Sequence, residues 1–194
     1  KLGYTAFVTN EFWQDHPEKA LTFRSDWVDR HQNATKSIVM ALMEAQQWCD
    51  KPENRLEMAK VISDPEWAKV PVKDIKDRLT GKIEYGNNRP IVSNSPNIMR
   101  YWDNYASYPF KSHDLWFLTE NMRWGQISTN TDMKQVIDRV NREDIWRAAA
   151  KGLNLSAAQI PASTSRGLET FFDGIKFDPS NPTAYLNSLK IKQA

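Results

Sequence analysis

Between Asn33 and Cys49 apolar residues fall at Ala34, Ile38, Ala41 or Leu42, Ala45, and Trp48 or Cys49, the spacing of one helix face. Ile38–Met43 is apolar without a break, and only Lys36, Glu44 and Gln47 mark a narrow wet edge. The pattern predicts a central helix covered nearly all round. At about 1.5 Å per residue it runs about 24 Å, the width of a small domain. Ahead of it, Leu2, Tyr4, Ala6 and Val8 alternate with Gly3, Thr5, Phe7 and Thr9 and predict a strand over Lys1–Thr9. A parallel or central strand needs partners on both sides. Few other segments look able to supply them, so the chain reads as the C-terminal part of something longer.

The remaining elements follow from caps and breakers. Asn10 is a fair N-cap with Glu11 in the first turn, and the His16-Pro17 step interrupts that turn. Ser25 is read as the cap of a short helix over Asp26–His31. Asp50-Lys51-Pro52 ends the central helix and starts the next, Pro52–Ile62. Short helices follow around Trp67 and at Val72–Leu79, with Gly81 as the stop. Lys82–Ser95 has no helical period. Ser95-Pro96 then opens a helix with Ile98, Trp102 and Tyr105 on one face. Ser112 caps another, with Leu115, Leu118 or Thr119, and Met122 inward and Gly125 at its end. In Thr131–Val140 the inward set is Met133, Val136, Ile137 and Val140. Asn141 caps the next helix and Gly152 closes it. From Ile160 onward the pattern is irregular, with aromatic anchors at Phe171, Phe172, Phe177 and Tyr185 that predict an ordered wrap.

The fold class is therefore mainly α with a few short strands. Residues 1–85 form the end of one lobe around the central helix, 86–95 a linker or crossover, 96–159 a helical segment, and 160–194 an extended C-terminal wrap.

Charge narrows the function. The 194 residues carry a net charge of +2, with Lys and Arg spread along the chain, which argues against a nucleic-acid stripe or a polybasic membrane patch. No apolar run approaches about 18 residues, the length of a membrane span. Lys1–Thr9 lacks the basic-then-apolar order of a signal peptide. The single Cys49 lies on the apolar side of the central helix and reads as buried, so cysteine usage fixes no redox compartment. The three histidines are far apart, with no metal-ligand spacing. Phosphate loops and nucleophile elbows are likewise missing, and the Glu143-Asp144 pair sits at a helix start where the macrodipole explains it, so nothing in the pattern indicates an enzyme, a catalytic residue, a metal or a cofactor. One spot stands out. His16-Pro17-Glu18-Lys19 follows a strand end, and ligands of open α/β sheets bind outside the carboxyl ends of strands. Lys19 there offers a compact positive charge and three donors to a small anion, although pattern alone favours a solvated surface lysine.

Two stretches add to this. The first half reads GYTAFVTNEFWQDHPEKAL, MEAQQWCDKPENR and VPVKDIKDRLTGKIEYGN. The second reads YASYPFKSHDLWFLTENMRWG, VNREDIWRAAA and IPASTSRGLETFFDGIKFDPSNPTAYLNSLKIK. Together they resemble the C-terminal part of the cyanobacterial-type nitrate-binding proteins of ABC transporters, a family that includes the related bicarbonate-binding protein. The resemblance covers essentially the whole chain, and the Ser-Arg-Gly-x-Glu-Thr-Phe-Phe-Asp-Gly tail is its most specific part. It implies a two-lobed α/β periplasmic binding protein, membrane-anchored by lipid at the upstream N-terminus of the full-length protein. Such a protein closes on nitrate or nitrite and delivers it to the permease subunits. The chain is about half the expected length, so the N-terminal lobe and most of the ligand cleft lie outside it. Lys19 aligns with the lysine that helps neutralise the anion in nitrate-type members; bicarbonate-type members are expected to carry an acidic residue and calcium instead. The alternative reading is a nitrate-sensing regulatory domain, fused to a transporter ATPase subunit or acting as a cytoplasmic sensor. An enzyme on the same fold, such as a thiamine-precursor pyrimidine synthase, would need a cofactor-binding lysine and a histidine-rich metal site that the sequence does not display.

Overall fold

A computed structural model describes residues 4–192. Eight helices and one two-stranded hairpin make up its regular elements, apart from short 3₁₀ turns. They are α1 (Ser25–Arg30), α2 (Gln32–Asp50), α3 (Arg55–Ser63), α4 (Val72–Leu79), α5 (Lys111–Arg123), α6 (Met133–Val140), α7 (Glu143–Gly152), β1 (Glu169–Thr170), β2 (Lys176–Phe177) and α8 (Pro182–Ser188). The mainly helical class predicted from the pattern holds. The chain forms two compact units, Lys1–His16 with Leu42–Ser107, and Pro17–Ala41 with Tyr108–Ala194. Among the described residues no helix is long and apolar enough to cross a membrane.

The first unit holds the end of α2, together with α3 and α4, which pack on each other. Trp13, Met43, Met58, Ala59 and Ile83 are buried in it. Its least anticipated feature is the corner at the end of α2. Asp50 sits where the helix macrodipole is negative, an unfavourable place for a carboxylate. It is held there by backbone N–H groups of Tyr101, Trp102 and Asp103, which donate to its two oxygens at 2.9, 2.7 and 2.8 Å. Arg55 donates to it at 3.0 Å and to the Met99 carbonyl at 2.9 Å, and the two side chains are only 4% and 7% exposed. This clamp explains a departure from the pattern. No helix forms from Ser95: the segment carries only a 3₁₀ turn at Asp103–Tyr105, because its amides serve Asp50 in place of a helical ladder.

Three other expectations fail in this unit. The strand over Lys1–Thr9 reduces, in its described part, to a single parallel bridge from Thr5 to Tyr85, since no further strand lies beside it among the described residues; Lys1–Gly3 lie outside those residues. Asn10 does not cap a helix but accepts from the Asp15 amide at 2.6 Å and donates to Asn97 at 2.7 Å. The segment at Trp67 is a turn with the indole 69% exposed. By contrast, Val72–Leu79 forms as predicted, and Gly81 follows it at φ +88, the left-handed stop that suits glycine.

The second unit has a core of two aromatic groups. Phe177 is fully buried beside Tyr185 and Leu189, with Leu115, Trp116, Phe171 and Ile175 around them. Tyr108, Phe110 and Trp146 pack edge to face at 4.8 and 4.9 Å, a favoured geometry for ring pairs. The C-terminal wrap is thus ordered through the hairpin and α8, docked on α5. Phe171, Phe177 and Tyr185 anchor it, whereas Phe172 points out, 69% exposed. Val140 is also exposed, so α6 turns in only Met133, Val136 and Ile137. Ser25 and Ser112 lie inside their helices and not at the caps: Ser112 Oγ accepts from the Arg166 amide at 3.1 Å, tying α5 to the tail.

α2 is the helix predicted at Asn33–Cys49, one residue longer at each end. Its environment differs from the prediction. Thr35 and Met43 are buried, but Ile38, Leu42 and Trp48 are about two-fifths exposed, and Ala34, Ala41 and Ala45 are exposed too. The described elements cover one side of the helix and leave the opposite apolar side open.

Candidate functional site

Lys19 lies on an irregular stretch between His16 and α1 and is exposed to solvent. The residues just before it are firmly held. Trp13 is 2% exposed, and its ring meets His16 edge to face at 5.2 Å. Asp15 adopts φ 57, a left-handed conformation that Asp tolerates better than most residues. Its carboxylate accepts from Arg100 at 2.5 Å and from Asn104 at 3.1 Å. Sequence reasoning missed this anchor, because Arg100 and Asn104 lie more than 80 positions along the chain from Asp15. The chain is therefore fixed in place through His16, three positions before the lysine.

An ammonium on such a stretch is a mobile, compact charge with three donors, suited to an anion whose oxygens point several ways. The neighbouring cations Arg24 and Arg30 are both engaged with Asp26, at 3.0 and 2.9 Å. His31 lies tilted against Trp27, with ring centroids 5.0 Å apart. His113 packs against Phe110 with Glu169 3.9 Å away, where Arg166 also approaches that carboxylate at 3.4 Å. Cys49 is half-buried, and desolvation pushes its thiol pKa up, with Arg55 opposing, which makes the thiolate scarcer. Among the described residues no three His, Cys, Asp or Glu side chains converge to hold a metal ion.

Comparison with known proteins adds what one lysine cannot. A family model described as NMT1-like matches residues 1–63. The nitrate/nitrite binding protein NrtA of Synechocystis sp. is 56% identical over 98% of this chain, which spans 43% of that protein. The crystal structure of the periplasmic nitrate-binding protein NrtA from Synechocystis matches 97% of this chain and 49% of its own with a TM-score of 0.93. The bicarbonate-binding protein CmpA of Synechococcus elongatus is 46% identical over the whole chain, which covers 44% of it. The bicarbonate transport ATP-binding protein CmpC of the same organism is 30% identical over 98% of the chain, covering 27% of it. The chain thus spans less than half the length of the curated relatives it matches.

Proposed function

We propose that this chain, a homologue of one part of the cyanobacterial nitrate/nitrite-binding proteins, belongs to the solute-binding component of an ABC transporter that captures nitrate or nitrite. The observation that carries the reading is 56% identity across 98% of the chain, together with a structural match at a TM-score of 0.93. Lys19 supplies the positive charge that offsets the bound anion, from the end of a segment fixed by Trp13 and by the Asp15–Arg100 pair. The higher identity to the nitrate-binding relative than to the bicarbonate-binding one supports nitrate, as does a lysine at this position. The remaining ligand groups come from residues outside this chain. The protein works in the periplasm, held at the membrane by a lipid on the full-length N-terminus, and hands its anion to the permease subunits. Its role is capture, not catalysis.

A second reading rests on the match to CmpC, an ATP-binding protein. In it the same lobe is a regulatory domain fused to the transporter ATPase subunit or a cytoplasmic sensor, and anion binding gates the partner. A lipoprotein signal upstream in the gene selects the first reading, an ATPase domain the second.

The test is a chimera in which these 194 residues replace the matching part of the Synechocystis nitrate-binding relative. Calorimetric titration should show nitrate binding by the chimera and none by its Lys19→Glu variant, with circular dichroism unchanged. Equal nitrate affinity in the variant would remove Lys19 from the site.

A further inference from the structure

Between β1 and β2 the chain turns at residues 171–174, and this turn holds Asp173-Gly174, the one place in the sequence where glycine follows an aspartate or asparagine. The Gly174 N–H donates to the Phe171 carbonyl at 2.9 Å, and the Phe171 N–H to the Ile175 carbonyl at 2.9 Å. Asp173 Oδ1 accepts from the Ile175 amide at 3.0 Å. That bond closes a ring of atoms containing both the Asp173 carboxyl carbon and the Gly174 nitrogen, so the two are held on one small loop. Asp173 and Gly174 are exposed, and a Cβ built on Gly174 would meet nothing within 4 Å. Gly174 adopts φ +81, a conformation that the missing Cβ makes easy. Asp178 in the same tail gives a contrast. It is exposed and accepts from the Ser180 amide and hydroxyl at 2.8 and 2.7 Å, but it precedes Pro179, whose nitrogen carries no hydrogen.

We infer that Asp173-Gly174 is a site of spontaneous backbone modification, at which aspartate converts to isoaspartate. The Gly174 nitrogen gives its proton to water and bonds to Cγ of the Asp173 carboxyl group in its acid form. The C–O bond to the departing oxygen breaks, and water leaves. The product is a five-membered succinimide, and water then adds to either of its carbonyls. Breaking the bond from nitrogen to Cγ restores aspartate. Breaking the bond from nitrogen to the α-carbonyl leaves the chain running through Cγ, with a free α-carboxylate. One water is lost and one regained, and nothing is oxidised or reduced. Glycine favours the first step because no side chain crowds its nitrogen and its backbone rotates freely. The opposing bond from Gly174 to Phe171 lies at the exposed tip of a hairpin of two residue pairs, where local opening costs little. The consequence reaches the core. The isoaspartyl link adds a methylene to the connection that sets Glu169 opposite Phe177 and Thr170 opposite Lys176, and Phe177 is fully buried beside Tyr185 and Leu189. The new α-carboxylate is the group that an isoaspartate-repair methyltransferase methylates, so an enzyme of that class is the partner this site would take. The inference is independent of the anion and of Lys19.

The experiment incubates the full-length chimera at physiological temperature and slightly acidic pH, folded in one sample and unfolded in urea in another. The tryptic peptide Gly167–Lys176 is then isolated and tested for isoaspartate by mass spectrometry and by methyl transfer from labelled S-adenosylmethionine with an isoaspartate methyltransferase. Isoaspartate is expected at position 173 of the folded protein, at a rate within about tenfold of that in urea, and the aged fraction should melt at a lower temperature than the fresh one. Asp173→Glu, whose ring closure needs six members, should reduce methyl transfer to that peptide at least tenfold with circular dichroism unchanged. Asp173→Asn, which releases ammonia in place of water, should raise it several-fold. Three results would overturn the inference: modification at position 173 in urea but not in the folded protein, equal methyl transfer to the Asp173→Glu peptide, or an aged fraction that carries isoaspartate in this chain only at other residues.

Discussion

Two segments without long helices are held in opposite ways. In the first unit, Met99–Asp103 is fixed by charge and hydrogen bonds: one buried carboxylate, Asp50, accepts three backbone amides and an arginine. In the second unit, Glu169–Leu189 is fixed by packing, with Phe177 fully buried against Tyr185 and Leu189. The contrast shows where each fold can fail. A carboxylate clamp depends on one side chain, since removing it leaves Arg55 and three amides without their shared acceptor. An aromatic cluster distributes its support over several rings, each contributing area.

The largest effect belongs to Asp50→Ala, which leaves Arg55 buried without its counter-charge; a loss of about 3–5 kcal/mol is expected, the scale for one partner of a buried pair. Urea unfolding measures it, and hydrogen exchange should show faster exchange of the Tyr101–Asp103 amides. Phe177→Ala should cost a comparable amount, about 3–5 kcal/mol, with that exchange unaltered and the near-ultraviolet signal of the tail reduced. If either variant loosens the other segment as much as its own, the two modes of support are not independent.

Tyr108 combines both modes and should give a smaller, pH-dependent effect. Its ring packs against Phe110 and Trp146, while its hydroxyl donates to Glu143 and accepts from Arg147 at 2.5 Å. Burial and the Glu143 carboxylate push its pKa up to about 12. A phenol with a raised folded-state pKa contributes stability that is complete below about pH 10, its unfolded value, and is lost as pH rises through about 12. Stability should therefore decline between pH 10 and 12, and Tyr108→Phe should flatten that decline in alkaline denaturation curves. The smallest effect belongs to Phe172→Ser: next to Phe171 but 69% exposed, it should change stability by no more than about 0.5 kcal/mol.

The same contrast explains what could be read from the sequence. Elements specified by local spacing were legible: α2 and α4 formed where their periodicity placed them, Gly81 stopped α4, and three of the four aromatic anchors of the tail turned inward. Features specified by distant partners were not. Asp50 looked like a helix stop, and nothing near it in sequence announces that it gathers amides 51 to 53 positions away. Phe171 and Phe172 are chemically alike, and only the hairpin geometry decides which is buried. The apolar arc of α2 is visible as a pattern, and the pattern predicts a covered helix, since periodicity shows that a face is apolar without showing what lies on it. Lys19 can be read in the sequence as a cation after a strand-like segment, and its place beside the anion is the proposal made above. The anchoring of Asp15 is not readable there, because Asp15, Arg100 and Asn104 meet only through the fold.

In the proposed function this chain carries the anion's counter-charge within a site completed from outside it. The most direct measurement is a nitrate titration by calorimetry of the 194-residue chain alone and after mixing with the non-matching part of the Synechocystis relative, with bicarbonate and sulfate as controls. The proposed function predicts no heat from the chain alone, nitrate binding by the mixture, and loss of that binding with Lys19→Glu. Tight nitrate binding by the chain alone that survives Lys19→Glu would contradict it.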